Sequence, residues 1–520
     1  MTEKESSFPI NPATPEYTRN WWTVAAWIVV FIVLAGLLQW FIPYPIDDDT
    51  AYHFCVGQLI SKYGILHNFP WTPFSWQFDH YADKEFLFHL LFIPLGGLGF
   101  LTAARVVGTL AGALALTTLF LILRAERVRF AGVWALLPLS CSEFLFRLGL
   151  VRPHLLSITL ALVVMWALAR ERLYLLAAAA FLYPLTYVAF WQIPFILILA
   201  VEAARLFSGE QIRWKPVAIV VASIAVGLAL HPNTVNLVQI NWIHMSDILF
   251  QKAWGRQFVN LGKEFNPYPL VDWGKYLVVV VIMTGGALAL SWRYRKASSL
   301  PLAFALAAMA FGLLTARSLR FIEYFVPFSV AASAIALAPS NIRMRFLPYV
   351  FLAISLLYTI VLGTEPYKNL SFKHKAHIEP DVVRLFNQKI PVGSHVFTTG
   401  WDYTGNLMLA LPERYFVVAA DPTLFYKKDP KLYDIWYRIP LDAPIDSVEA
   451  IRLLFKCRFV ISLNYQAYWP FFDTLSANPT VKTLFANEKW VLFDLGSSGS
   501  GSMPLPSHKV QPREGQGGKE

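Results

Sequence analysis

Three adjacent carboxylates stand one helical turn ahead of a histidine in Asp47-Asp48-Asp49-Thr50-Ala51-Tyr52-His53. Like charges this close repel one another, so their clustering calls for a reason. In one reading Asp48 or Asp49 caps the helix expected over 51–62 and its neighbours are solvated. In the other, a carboxylate takes a proton from an attacking hydroxyl or amine. Asp49 is then the first choice and Asp48 the second, with His53 on the same helical face. A variant of that reading has Asp47 and Asp49 hold a divalent metal such as Mg or Mn. A second charged group, Asp79, His80, Asp83, Lys84 and Glu85, follows some thirty residues later. Asp83 is a further candidate carboxylate, while Lys84 is either its salt-bridge partner or a cation for phosphate.

Four arginines form the complementary set: Arg147 and Arg152 in Arg147-Leu-Gly-Leu-Val-Arg152-Pro-His154, and Arg317 and Arg320 in Arg317-Ser-Leu-Arg320-Phe-Ile-Glu323. They pair with carboxylates, Arg320 with Glu323 among them, or they neutralise a phosphate. The planar guanidinium forks onto phosphate oxygens and steadies the charge that grows as a phosphate departs. His231, in His231-Pro232-Asn233, is a further site candidate, against the plainer reading of a polar helix end. Trp242, Trp254 and Trp273 read as interfacial anchors.

The elements that must position these groups are apolar. The chain is 56% hydrophobic and only 15% charged, and its apolar residues fall in blocks long enough to cross a bilayer. About eleven such spans are expected, at 21–43, 103–123, 131–148, 154–169, 173–189, 190–206, 216–232, 275–291, 299–315, 321–338 and 346–363. The first, with Arg19 at its edge and no small-residue cleavage site, reads as a retained anchor rather than a signal peptide. If residues 1–20 form a cytoplasmic tail, the short loops carrying Arg124, Arg127 and Arg129; Arg170 and Arg172; Arg205, Arg213 and Lys215; Arg293, Arg295 and Lys296; and Arg343 and Arg345 all face the cytoplasm. The opposite face then holds two long connections, 44–102 and 231–273, and every candidate site residue. Within the first, 85–99 is apolar but short and broken by Pro94 and glycines, which predicts helices lying at the membrane surface.

The net charge of +10 lies mainly in short clusters between spans, which makes nucleic-acid binding the weaker reading. Cys55, Cys141 and Cys457 are too far apart in sequence for a thiolate metal site or a disulfide framework. Beyond the last span, 364–495 reads as an extracytoplasmic α/β domain, with strands expected at 395–399, 415–419, 459–463 and 490–495 and a helix at 380–388. The Gly, Ser and Pro content of 496–520 predicts a disordered tail.

The acidic first outer loop, interfacial helices, outward arginines and C-terminal outer domain together resemble the GT-C superfamily of membrane glycosyltransferases, which take sugar from polyprenyl phosphate or diphosphate carriers. Asp49-Thr-Ala-Tyr52-His53 is similar to the Asp-Pro-Tyr-Tyr-His pattern of the oligosaccharyltransferase catalytic subunit, and to the acidic residue before Arg-Tyr-Ala in the lipid A aminoarabinose transferases. Ala82-Asp83-Lys84-Glu85-Phe86 is similar to the Phe-Glu-Lys-Pro-Pro stretch of the latter. Gly400-Trp401-Asp402-Tyr403-Thr404-Gly405 resembles the Trp-Trp-Asp-Tyr-Gly motif that holds the acceptor sequon, with Gly400 in place of the first Trp and Thr404 displacing the Gly, so sequon recognition does not carry over. A helix-capping Asp402 is the plainer reading of that stretch.

The resemblance implies a polytopic α-helical membrane protein of the plasma (inner) membrane that inverts a sugar's anomeric centre. Asp49 is then the catalytic carboxylate, with Asp48 and Asp83 beside it. Lys84, Arg147, Arg152, Arg317 and Arg320 bind the donor phosphate, and His53, His231, Trp401 and Asp402 bind acceptor or sugar. The partners implied are a polyprenyl-phosphate-linked sugar, membrane lipid, and a glycan, lipid or protein acceptor. Two alternatives stand beside it: an oligosaccharyltransferase-like transfer of a preassembled glycan using a metal at Asp47 and Asp49, and a lipid-linked sugar flippase, against which no internal repeat is visible.

Overall fold

Among the described residues the long apolar blocks are predominantly helical, because a helix satisfies its own backbone hydrogen bonds where water is absent. The computed structural model describes residues 21–42, 44–45, 47–187, 192–246, 259, 262–338, 346–362, 377–419 and 421–496. Five of its helices are long and apolar enough to cross a bilayer: Trp21–Phe41, Phe100–Ala125, Leu270–Arg293, Leu300–Arg317 and Leu319–Leu337, or seven if two bent pairs each count as one span. The expected count of eleven exceeds this. Four further apolar helices, His154–Ala169, Leu173–Thr186, Ile193–Phe207 and Leu347–Val361, have only 14 to 16 residues. They rise about 21–24 Å, short of a hydrocarbon core of about 30 Å. The N-terminal tail, the basic pair Arg343 and Arg345, Trp254 and nearly all of the C-terminal tail lie outside the described residues.

The chain divides into two compact units, each discontinuous in sequence. The first comprises 1–43, 105–230 and 262–372. Its centre is the helix Ile322–Leu337, buried along almost its whole length. Small residues such as Ser329, Ala332 and Ser333 let neighbours approach closely. Hydroxyls close the remaining polar gaps: Thr284 Oγ1 donates to Ser329 Oγ at 2.7 Å, and Ser333 Oγ donates to the Met283 carbonyl at 3.0 Å. The expected span 131–148 is broken. Ala131–Leu136 runs into a short 3-10 turn, Leu137–Ser140, and the helix Ser142–Gly149 leaves at 87°. Pro138 removes a backbone donor there, and Cys141 has an extended backbone. The bend carries Arg147 on a short helix with its own direction.

The second unit comprises 44–104, 231–261 and 373–520, so the first long connection and much of the second cluster with the C-terminal segment, while 262–273 belongs to the first unit. Its sheet has strands β1 (His395–Thr398), β2 (Tyr415–Phe416), β3 (Phe459–Leu463), β4 (Lys482–Ala486) and β5 (Trp490–Asp494), in the order β2-β1-β3-β5-β4. β1 pairs parallel with β2 and β3, with Val396 opposite Phe459, whereas β5 runs antiparallel to β3 and β4. Alternation along the strands divides two apolar cores. Phe397, Val460, Val491 and Phe493 pack with Trp436, Ile451 and Phe455 of the flanking helices. Val396, Ile461, Leu492 and Trp490 pack with Phe386 and Leu407, and with Tyr52, Phe69 and Trp71 from the first long connection. That connection also covers an edge, where the Phe416 N–H on β2 donates to the Trp71 carbonyl at 2.8 Å.

Candidate functional site

The helix Asp49–Tyr63 begins at the acidic triplet, and the structure settles what caps it. Asp48 occupies the capping position, but its side chain makes no capping bond. Instead Asp47, nearly buried, accepts the Asp49 N–H through Oδ1 at 3.0 Å. Asp48 turns to a different partner, accepting from Asn406 Nδ2 at 2.7 Å. Asn406 lies on the helix Thr404–Ala410, which packs against Asp49–Tyr63 at Gly405. A Cβ there would sit 2.8 Å from the Asp48 carbonyl and 3.0 Å from the Tyr52 nitrogen, so only glycine permits the approach. Burial, together with the charges of Asp47 and Asp402, pushes the Asp48 carboxyl up to about 8, so at neutral pH it keeps a proton.

The Gly400–Gly405 stretch therefore lies beside the acidic triplet. Its tyrosine is structural: Tyr403 is buried, its hydroxyl accepts the Thr399 N–H at 2.9 Å and donates to the Ile461 carbonyl at 3.1 Å, tying β1 to β3. Asp402 does not cap the following helix, whose capping position is Tyr403 without a side-chain bond. Asp402 is exposed and Trp401 half-buried.

A second group of the same unit gathers around Asp83. His53 Nδ1 and His89 Nε2 are 2.8 Å apart, and His89 Nδ1 is 2.7 Å from Asp83 Oδ1, a buried carboxylate–histidine–histidine chain. Gly57 makes room for it, since a Cβ there would lie 2.7 Å from the His89 carbonyl. The segment 231–236 braces this loop: Asn233 Oδ1 accepts the Asp83 N–H at 3.3 Å, and Asn236 Nδ2 donates to the Tyr81 carbonyl at 2.9 Å. His231 accepts the Asn233 N–H through Nδ1 at 3.0 Å and is buried against Phe86. Lys84 pairs with Asp421 at 2.9 Å, and His244 reaches the same oxygen at 2.9 Å. Burial alone would raise the Asp421 carboxyl, but the Lys84 charge and the contact with His244 hold it well below the usual range.

One set of potential metal ligands stands out among the described residues. The donor atoms of His53, Glu85 and His89 all lie within 4.8 Å of one another, and all three residues are buried. Two imidazoles and a carboxylate, with Asp83 orienting His89 through its other nitrogen, suit a zinc-like cation. Burial pushes the Glu85 carboxyl up, against the opposing pull of Lys84 and His89.

In the helical unit the arginines converge. Arg147 grips Glu323 with Nε at 3.1 Å and Nη2 at 2.6 Å, and its Nη1 donates to Glu264 at 3.0 Å. Arg152 Nη1 donates to both Glu264 oxygens at 3.2 Å, and Arg320 Nε lies 3.6 Å from the same carboxylate. Arg320 also donates to the Tyr187 hydroxyl at 2.6 Å and sits over the Phe265 ring. Burial alone would raise the Glu264 carboxyl, but three guanidiniums hold it well below the usual carboxylate range. Arg317 ends the helix Leu300–Arg317, one turn before Arg320. The expected Arg320–Glu323 pairing is not the close one: Arg147 takes Glu323, because the bent helix brings its guanidinium there, and Arg320 turns to Glu264.

Sequence reasoning thus passed over Glu264, His89, Asn406 and Asp421. Glu264 had one signal, an acidic residue in a long connection facing surplus arginines. His89 sits in an apolar stretch only six residues after its partner Asp83, and the partners of Asn406 and Asp421 are remote in sequence.

No protein-family model and no curated protein matches the chain. Among solved structures it is similar to ArnT from Cupriavidus metallidurans bound to undecaprenyl phosphate. The two are 14% identical, with a TM-score of 0.57 over 92% of this chain and 100% of that one. The apo state of the same protein gives 14% identity and a TM-score of 0.43 over the same shares. The likeness to the ligand-bound structure shows a shared fold.

Proposed function

We propose, from the fold this chain shares with ArnT, that it is a membrane glycosyltransferase moving a sugar from a polyprenyl-phosphate-linked donor to an acceptor on the outer face of the membrane, with inversion. The observation that carries this reading is the meeting of Arg147, Arg152 and Arg320 at one partly exposed point of the helical unit. Such a focus of forked cations suits a phosphate better than a structural pair, and the undecaprenyl phosphate bound to the fold neighbour supports the same ligand class. In the other unit, Asp49 takes the proton from the acceptor, Asp48 in its protonated form adds no competing charge, and Asp83 orders the adjoining loop through His89.

The test is transfer from a polyprenyl-phosphate-linked sugar by the full chain in membranes. Asp49→Asn and Arg320→Ala are expected to lower the rate about 100-fold or more at unchanged folded yield. Transfer at the parent rate by both variants would remove the assignment.

The grouping of His53, Glu85 and His89 favours a version of this reading with a bound divalent cation. In that version a chelator lowers the thermal midpoint of the purified protein and zinc restores it. An unmoved midpoint leaves the metal-free version.

A further inference from the structure

Among the described residues, two carboxylates answer the guanidiniums of Arg147, Arg152 and Arg320 in the helical unit, and they are not equivalent. Glu323 is fully buried on the helix Ile322–Leu337 and is held by two N–H groups of one arginine. Glu264 sits on a short 3-10 turn, Lys263–Phe265, with its side chain 20% exposed, and touches all three arginines. The backbone of that turn is anchored independently of the carboxylate: Ser318 Oγ donates to the Glu264 carbonyl at 3.0 Å, and the Leu319 N–H donates to the Asn266 carbonyl at 3.2 Å. Rotation of the Glu264 side chain therefore needs no movement of the turn. Counting these five side chains alone, turning Glu264 away removes one negative charge from beside the three guanidiniums.

We propose that the Glu264 carboxylate is an internal stand-in for phosphate. It occupies the place on Arg147, Arg152 and Arg320 that the phosphate of a lipid-linked ligand takes, and must swing out for that ligand to bind. The inference rests on the reading above that these arginines hold phosphate. A carboxylate offers two oxygens and one charge, as the phosphodiester of a sugar-bearing donor does, and the lipid monophosphate left after transfer offers three oxygens and up to two charges to the same donors. The displaced cations are never left without an anion, which is what burial of three guanidiniums requires. Because Glu264 stays tethered beside the arginines, it competes with the lipid phosphate and weakens its hold, which eases product release.

The experiment uses the full chain in lipid nanodiscs with undecaprenyl phosphate as the probe. Glu264→Gln, which keeps the shape but drops the charge, is expected to bind the probe about tenfold more tightly, and Arg152→Ala more weakly. In the unaltered chain, carbodiimide labelling read by mass spectrometry is expected to rise at Glu264 when the probe saturates. Parent or weaker affinity in Glu264→Gln, or labelling of Glu264 that stays level or falls, overturns the stand-in. Parent affinity in both Arg152→Ala and Arg320→Ala, or no saturable binding at all, overturns the phosphate assignment beneath it.

Discussion

At the scale of single residues, Asp48 links electrostatics to stability most directly. Its carboxyl titrates near 8 when folded, against 3.8 for an unperturbed aspartate, chiefly through burial. Between those values the folded chain holds a proton that the unfolded chain has released, so stability falls as pH rises from about 4 to about 8 and is level outside that window. Asp48→Asn removes the dependence. The thermal midpoint of this variant is expected to drop less than that of the parent between pH 5 and pH 8.5, by roughly 2 °C or more, measured by tryptophan fluorescence. Arg147 gives a second contrast. Its guanidinium is buried on Glu323, so Arg147→Ala strands a buried charge and is expected to cost about 3–5 kcal/mol. Arg152→Ala removes a more exposed partner and is expected to cost about 1 kcal/mol or less. Denaturation in mild detergent distinguishes the two.

At a few points glycines set the closest approach between elements. Gly405 lets the helix Thr404–Ala410 lie against the start of Asp49–Tyr63 and so delivers Asn406 to Asp48. Gly405→Val must push the two helices apart, at an expected 1–3 kcal/mol, and releases Asp48 from Asn406. Gly97→Ala, at a position with nothing within 4 Å, is the control and is expected to leave the midpoint unchanged. The break at Cys141 acts at the same scale. Without it Arg147 would sit on a straight span, and its contact with Glu323 on the helix Ile322–Leu337 would be lost. The hairpin partner β4 shows the converse difficulty: its half-exposed Lys482–Ala486 carries little apolar alternation and was not expected as a strand. β3, buried on both faces, reads plainly as one.

For the whole molecule, the consequential fact is that the sheet does not complete its own core. Tyr52, Phe69 and Trp71 come from residues some three hundred positions earlier, and Trp71 caps the edge of β2. The segment 373–520 expressed alone is therefore expected to leave one apolar face of its sheet uncovered. Strong binding of a hydrophobic dye and a weak near-ultraviolet dichroism signal from Trp490 would show it. By itself the sequence determined which stretches are apolar helices, where the buried strands run, and that the acidic triplet and the arginines needed partners. Those properties are local, since composition over twenty residues decides burial in lipid and alternation over five decides a strand. Tertiary structure alone decided the partners. His89 lies between Asp83 and His53, Asn406 holds Asp48, and Glu264 rather than Glu323 answers Arg320. Each of these contacts joins residues that only chain folding brings within 4 Å, and Coulomb and hydrogen-bond energies are short-ranged enough that nothing in the spacing along the chain foretells them.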